Sequence, residues 1–319
     1  MSARAPRAVV FAYHNVGVRC LKVLLAGGVD VALVVTHADS ASENIWFDSV
    51  ASLCRAEGIA CITPDSAAGT DLLAQVTAAR PDLMFSFYYR HMLPASLLAV
   101  APAFNMHGSL LPHYRGRAPV NWAVLHGASE IGATLHEMTV KPDAGAIVAQ
   151  TAVPILPDDT AYEVFGKVTV AAEICLWGVL PALLAGQAPR LPNDLTQGGY
   201  FGGRKPEDGR IDWTRTAQEV YNLHRAVAPP YPGAFTDIGG QRYIIDTARL
   251  ARPRDGVPAG ALPPGLAVVD NRIVGLCGDG GVLLIHRLLH DGAAIDAAQL
   301  RERLAAAAPA ALPPSATPD

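Results

Sequence analysis

The chain has 319 residues, half of them hydrophobic and 17% charged, with a net charge of −4 at neutral pH. That length and apolar content supply a core for one large α/β domain plus a smaller one, and they argue against wholesale disorder. The acidic balance gives no general attraction to phosphate backbones, so a nucleic-acid partner is disfavoured.

The first apolar run, residues 8–13, is too short to span a membrane, and no signal-peptide cleavage region follows it. It reads as a first strand of a soluble, cytoplasmic protein. The five cysteines, Cys20, Cys54, Cys61, Cys175 and Cys277, show neither CxxC nor zinc-ligand spacing, and they fit reduced, mostly buried thiols. After this strand only Gly17 stands where a dinucleotide site needs a run of glycines, so NAD chemistry is not supported.

Further strands are expected over 31–36, 59–63, 83–88 and 103–106, with helices over 20–26, 49–57, 71–79 and 94–100. Such alternation predicts a parallel sheet covered by helices on both faces. Residues 131–138 and 146–153 flank a turn and suggest an antiparallel extension. A long helix is expected over 159–184, capped by Asp158 or Asp159. These elements make up an expected domain over residues 1–185.

Residues 186–204, rich in Pro, Gly and Asn, read as a linker. A helix over 212–228 should stop at Pro229 and Pro230. Short strands follow over 234–238, 242–247, 265–269, 272–276 and 282–287, as in a small antiparallel sheet or OB-like barrel within residues 205–305. The Ala/Pro-rich tail, 306–319, is expected to fray.

The chemistry concentrates between Phe104 and Arg117, which reads Phe-Asn-Met-His-Gly-Ser-Leu-Leu-Pro-His-Tyr-Arg-Gly-Arg. At a strand end, period-two geometry points Asn105 and His107 to the same side. That pairs a neutral hydrogen-bond donor with a titratable base. Asp143, in Lys-Pro-Asp-Ala-Gly, offers a carboxylate to orient the imidazole and to raise its pKa. Acyl transfer to an amine needs these parts: a donor for the oxyanion, and a base that takes and returns a proton. Each residue alone is also an ordinary turn former. The combination, on loops beyond the carboxyl ends of sheet strands, is what points to catalysis.

The segment from Phe104 to Pro119 resembles the N10-formyltetrahydrofolate-dependent formyltransferases, whose signature of Asn-x-His with a later Asp is matched at Asn105, His107 and Asp143. Phe85-Ser-Phe-Tyr-Tyr-Arg-His91, Gly116-Arg-Ala-Pro119, Ala144–Gln150, Pro232–Phe235 and Cys277-Gly-Asp-Gly280 are similar to the formyltransferase half of the bifunctional UDP-4-amino-4-deoxy-L-arabinose (polymyxin-resistance) enzyme. The resemblance implies a Rossmann-like α/β domain with a smaller C-terminal OB-like β-barrel. It also implies N10-formyltetrahydrofolate as co-substrate, with no metal. Asn105, His107 and Asp143 would be catalytic. Folate would lie against His91, Met92, Leu93, Arg117, Thr139, Val140, Lys141, Pro142 and Asp143.

The expected acceptor is a nucleotide-linked amino sugar, most specifically UDP-4-amino-4-deoxy-L-arabinose of lipid A modification. Arg204, Asn222, Arg225 and Tyr231 are candidates to hold its pyrophosphate, uracil or sugar. Methionyl-tRNA is the alternative acceptor, disfavoured by the acidic balance and by Gly116-Arg-Ala-Pro119, which is nearer the sugar-enzyme form. A folate-binding module without catalysis is a further alternative, and an intact Asn/His/Asp set argues against it. The loop over 97–104 is two residues shorter than in the sugar enzyme, and no second, oxidative half is present in this sequence. The exact sugar and any homo-oligomer stay open.

Overall fold

A computed structural model describes residues 4–40, 44–257 and 263–307. The chain divides into two compact units, Met1–Arg204 and Lys205–Asp319.

The first unit opens with β1 (Arg7–Ala12), α1 (His14–Ala26), β2 (Asp30–Val35), α2 (Val50–Glu57), β3 (Cys61–Ile62), α3 (Thr70–Ala78), β4 (Leu83–Phe87), α4 (Ala95–Leu98) and β5 (Ala103–His107). It continues through β6 (Arg115–Gly116), α5 (Pro119–Leu125), β7 (Glu130–Glu137), β8 (Ile147–Pro154), α6 (Ala161–Leu184) and β9 (Tyr200–Phe201). Seven strands form one sheet in the order β3-β2-β1-β4-β5-β7-β8. The first five run parallel, and β7 and β8 add antiparallel. This is the expected Rossmann-like arrangement with its antiparallel extension. Val9, Val10 and Phe11 of β1, the middle of the five parallel strands, are fully buried, as a strand covered on both faces requires. Strand order reverses between β1 and β4, and open α/β sheets bind ligands beyond the carboxyl ends of their strands near such a point.

Several boundaries differ from the sequence expectation for local reasons. Helix α1 begins at His14, six residues early, because Gly17 lets the helix pack tightly: a Cβ there would meet Val50 at 3.1 Å and Ala12 at 3.2 Å. Neither Asp158 nor Asp159 caps α6. Thr160 does, in a capping box with Glu163, while the Asp159 carboxylate accepts from the Leu156 amide and from Lys167. Helix α6 is long and apolar enough to cross a membrane by length and composition alone, but here it packs on α1, β7 and β8. Residues 186–204, expected as a linker, belong to the first unit: Leu191 bridges to Ile147, and β9 pairs parallel with β6.

In the second unit, α7 (Ala217–Val227) precedes β10 (Ala234–Ile238), β11 (Gln241–Leu250), β12 (Gly265–Val269), β13 (Arg272–Leu276), β14 (Val282–His290), β15 (Ala293–Ile295) and α8 (Ala297–Ala307). Helix α7 starts five residues later than expected. Thr216 caps it with Glu219, and Asp212 instead accepts from the Thr214 amide and hydroxyl in a tight turn. The strands form an antiparallel sheet in the order β10-β11-β14-β13-β12, with β15 on β14. Among the described residues β10 and β12 do not pair, so the expected barrel-like sheet is a curled half-barrel. The unforeseen helix α8 contacts β10, β12 and β13, covering the open edges. It takes up Ala306 and Ala307 of the expected tail; residues 308–319 lie outside the described residues.

Candidate active site

The site grows from the register of three neighbouring strands. Strand β5 pairs with β4 so that Ser86 faces Asn105, and with β7 so that Asn105 faces His136. Alternation puts Asn105 and His107 on one face, while Phe104 and Met106 go into the core at 3% and 1% exposure.

The loop after β5 turns back over that face. The Thr134 hydroxyl donates to the Ser109 carbonyl at 2.6 Å, and Ser109 donates to the His113 carbonyl at 2.6 Å. The turn brings the Tyr114 carbonyl to 2.8 Å from His107 Nε2. It also brings the Gly116 amide to the Asp143 carboxylate at 2.7 Å. Gly116 has φ +96°, and a Cβ there would stand 2.2 Å from the Phe201 carbonyl oxygen, so only glycine fits between the loop and β9. Asp143 itself has φ +51°; the Asn193 side chain donates to the carbonyls of Asp143 and Gly145 at 3.0 Å each and holds this turn.

Asp143 Oδ1 lies 3.6 Å from His107 Nδ1 and 3.6 Å from His136 Nε2. Burial alone would resist its ionisation. The two imidazoles beside it and the Gly116 N–H outweigh burial and hold the carboxyl at about 2. His107 behaves differently. Burial pushes its pKa down and exceeds the upward pull of Asp143 and of the Tyr114 carbonyl, so the expected rise is reversed. The result is a carboxylate beside a neutral imidazole. The Nε2 proton of that imidazole is committed to Tyr114, and its Nδ1 lone pair faces Asp143.

A cleft of about 760 Å³ opens over these groups. Of the residues expected around it, Asn105, His107, Asp143, His91, Met92, Leu93, Arg117, Thr139 and Pro142 line it, whereas Val140 and Lys141 do not. Met92 is 57% exposed and Leu93 is 4% exposed, so the first is a wall and the second also a core residue. Arg204 lies in the first unit, its guanidinium 4.8 Å over the Trp122 ring. Asn222, Arg225 and Tyr231 belong to the second unit, where buried Arg225 donates to Asn222 at 2.6 Å.

The sequence reading missed His136, Tyr88, Tyr89 and Tyr200, all of which line the cleft. His136 had a signal: it is a titratable residue that continues the buried run Ile131–Leu135, in which Thr134 is the only other polar side chain. Tyr89 Oη and His91 Nδ1 are buried atoms with no hydrogen-bond partner among the described residues. No group of three or more His, Cys, Asp or Glu among the described residues could hold a metal ion.

A family model described as formyl transferase matches residues 10–180, and one described as formyl transferase, C-terminal domain, matches residues 204–304. Among solved structures, the chain is similar to an N-formyltransferase from Helicobacter canadensis in complex with folinic acid and dTDP-3-aminofucose. The identity is 17% and the TM-score 0.66, covering 88% of this chain and 99% of that one. It is also similar to WlaRD, a sugar 3N-formyl transferase crystallised in the presence of dTDP and 5-N-formyl-THF, at 18% identity and TM-score 0.69 over 91% of this chain and 100% of that one. A sugar N-formyltransferase from a Shewanella species matches at 20% identity and TM-score 0.61, over 76% and 97% of the two chains. At these identities the likeness is one of fold.

Proposed function

The chain belongs to the formyl transferase family, and on that premise we propose that it transfers a formyl group from N10-formyltetrahydrofolate to the amine of a nucleotide-linked amino sugar, UDP-4-amino-4-deoxy-L-arabinose being the specific acceptor. The carrying observation is the convergence of Asn105, His107 and Asp143 on one wall of a cleft at the carboxyl ends of β4 and β5.

The folate co-substrate fits the residues present. Met92 and Leu93 offer apolar surface for a flat ring, and the unpartnered Tyr89 Oη and His91 Nδ1 are polar atoms that a ligand's donors and acceptors would satisfy. Bound there, it supplies the electrophilic formyl carbon. Asn105 donates an N–H to the oxygen that gains charge as the acceptor amine attacks. His107, neutral at rest, takes the proton released by the attacking nitrogen on Nδ1. Asp143, ionised throughout, stabilises the resulting imidazolium. His107 then returns the proton to the folate nitrogen as its bond to the formyl carbon breaks. One C–N bond forms, one breaks, and no net proton is consumed.

The first unit, residues 1–204, would carry this chemistry. Arg204 and the second unit's Asn222, Arg225 and Tyr231 are proposed to help select the nucleotide. The dTDP-3-aminofucose bound by the Helicobacter canadensis enzyme and the dTDP present with WlaRD support a nucleotide-sugar acceptor in general. The uridine and 4-amino specificity rests on the motif resemblance around Gly116-Arg-Ala-Pro119.

The deciding experiment incubates the protein with N10-formyltetrahydrofolate and, in separate reactions, UDP-4-amino-4-deoxy-L-arabinose, a dTDP-3-amino sugar and charged initiator tRNA. Formylation of the first confirms the specific reading. A product only with the dTDP sugar keeps the class and corrects the acceptor, and a product only with tRNA overturns both.

A further inference from the structure

His136 takes no part in the reaction as written, yet it sits directly across from Asn105 on the neighbouring strand. Its side chain is almost wholly buried. Its Nδ1 lies 2.8 Å from the Glu137 carbonyl oxygen, and a carbonyl only accepts, so Nδ1 carries the ring proton. In the neutral ring Nε2 is then an acceptor, and it stands 3.1 Å from Asn105 Nδ2. Asp143 is 3.6 Å from the same nitrogen, beyond hydrogen-bond reach, and bonds the Gly116 amide instead.

An asparagine amide has two ends of opposite polarity and little steric preference between them. Turned one way it offers an N–H to a developing oxyanion; turned the other way its carbonyl oxygen repels that charge. We infer that His136 is the positioning residue for Asn105: by accepting one amide hydrogen through Nε2, it fixes the amide so that the second N–H is presented to the reacting oxygen. The backbone carbonyl of Glu137 sets the tautomer, Nε2 sets the amide, and the amide meets the substrate. This inference rests on the formyl-transfer reading above.

The test is a mutant cycle in the full-length protein, with N10-formyltetrahydrofolate and UDP-4-amino-4-deoxy-L-arabinose as substrates. Asn105→Ala should lower kcat by about 10²–10³-fold, the usual cost of one lost oxyanion donor. His136→Leu, which removes the acceptor, should lower kcat by about 10–100-fold with KM for both substrates unchanged. His136→Gln, whose side-chain carbonyl can accept the same hydrogen, should recover most of that loss. In the Asn105→Ala background, His136→Leu should cost nothing further, because the group it orients is gone.

Wild-type kcat in His136→Leu, or losses that multiply in the double variant, would overturn the positioning role. If His136→Leu fails to fold, His136→Gln decides: kcat near wild type in the single variant supports the inference, and a loss that multiplies with Asn105→Ala refutes it. Wild-type kcat in Asn105→Ala would instead sink the proposed reaction itself, so the two failures are told apart.

Discussion

Asp143 stands 3.6 Å from two imidazoles and accepts the Gly116 amide at 2.7 Å, while His107 beside it is buried and neutral. The pH behaviour follows from the direction of each shift. In the proposed reaction the base form of His107 is the competent one, and burial lowers its pKa below the ordinary imidazole value of about 6.5. Activity therefore persists as pH falls through 6.5, and the acid limb of kcat/KM should have its midpoint below that value. Asp143→Asn removes the charge that pulls the His107 pKa upward. It should move the acid limb further toward low pH while lowering the plateau, since the imidazolium loses its partner. A rate profile from pH 5 to pH 9 on both proteins checks this, and an acid limb that moved to higher pH would contradict the assignment. That Asn105, His107 and Asp143 come together was legible in the sequence, because their types and spacing match what the proposed chemistry needs. His136 was legible only as a buried polar residue, since its place beside Asn105 depends on the register of β5 against β7, which a linear pattern does not carry.

At the scale of elements, apolar runs located the strands well, because those of the parallel sheet are buried on both sides and cannot alternate. Helix starts were harder. They are set by single side-chain bonds, as at Thr160 and Thr216, where a threonine and a glutamate three residues on outcompete nearby aspartates. Helix α6 packs against β7 and β8, the strands that bracket Asp143, so its cap bears on the site's support. Thr160→Ala should cost about 1 kcal/mol. For a unit of this size that lowers the melting temperature by about 2–4 °C. Because the cap is remote from the cleft, kcat at 25 °C should stay unchanged. Differential scanning calorimetry beside an activity assay reads both, and an unchanged melting temperature would show that the box contributes nothing. The β6–β9 pair and α8 escaped the sequence reading for another reason. Two-residue strands have no period, and the Ala-rich stretch of α8 carries little amphipathic signal.

For the whole molecule, charge is the discriminating quantity. A net charge of −4 does not suit an enzyme that must hold a long polyanion. Raising salt from 50 to 200 mM should weaken use of a nucleotide sugar by less than about tenfold, whereas a protein making several phosphate contacts to tRNA would lose about 10³-fold or more. Measuring kcat/KM across that range separates the two without structural work. The parallel order of the first unit was legible because strand–helix alternation admits few topologies. The open edge of the second unit was not, because barrel closure depends on whether the last strands meet, and strand spacing is silent on that.

The short β6–β9 pairing has a consequence for the order in which a chain becomes competent. Asn105, His107 and Asp143 have all left the ribosome long before Tyr200 and Phe201, yet Gly116, whose amide binds the carboxylate, is seated by those later residues, and Asn193 ties down the turn that carries it. A nascent chain that stops short of Asn193 thus contains every group of the proposed reaction without the brace that sets their spacing. The spacing of those groups is therefore fixed by contacts from the last residues of the first unit, some fifty positions further along the chain than Asp143.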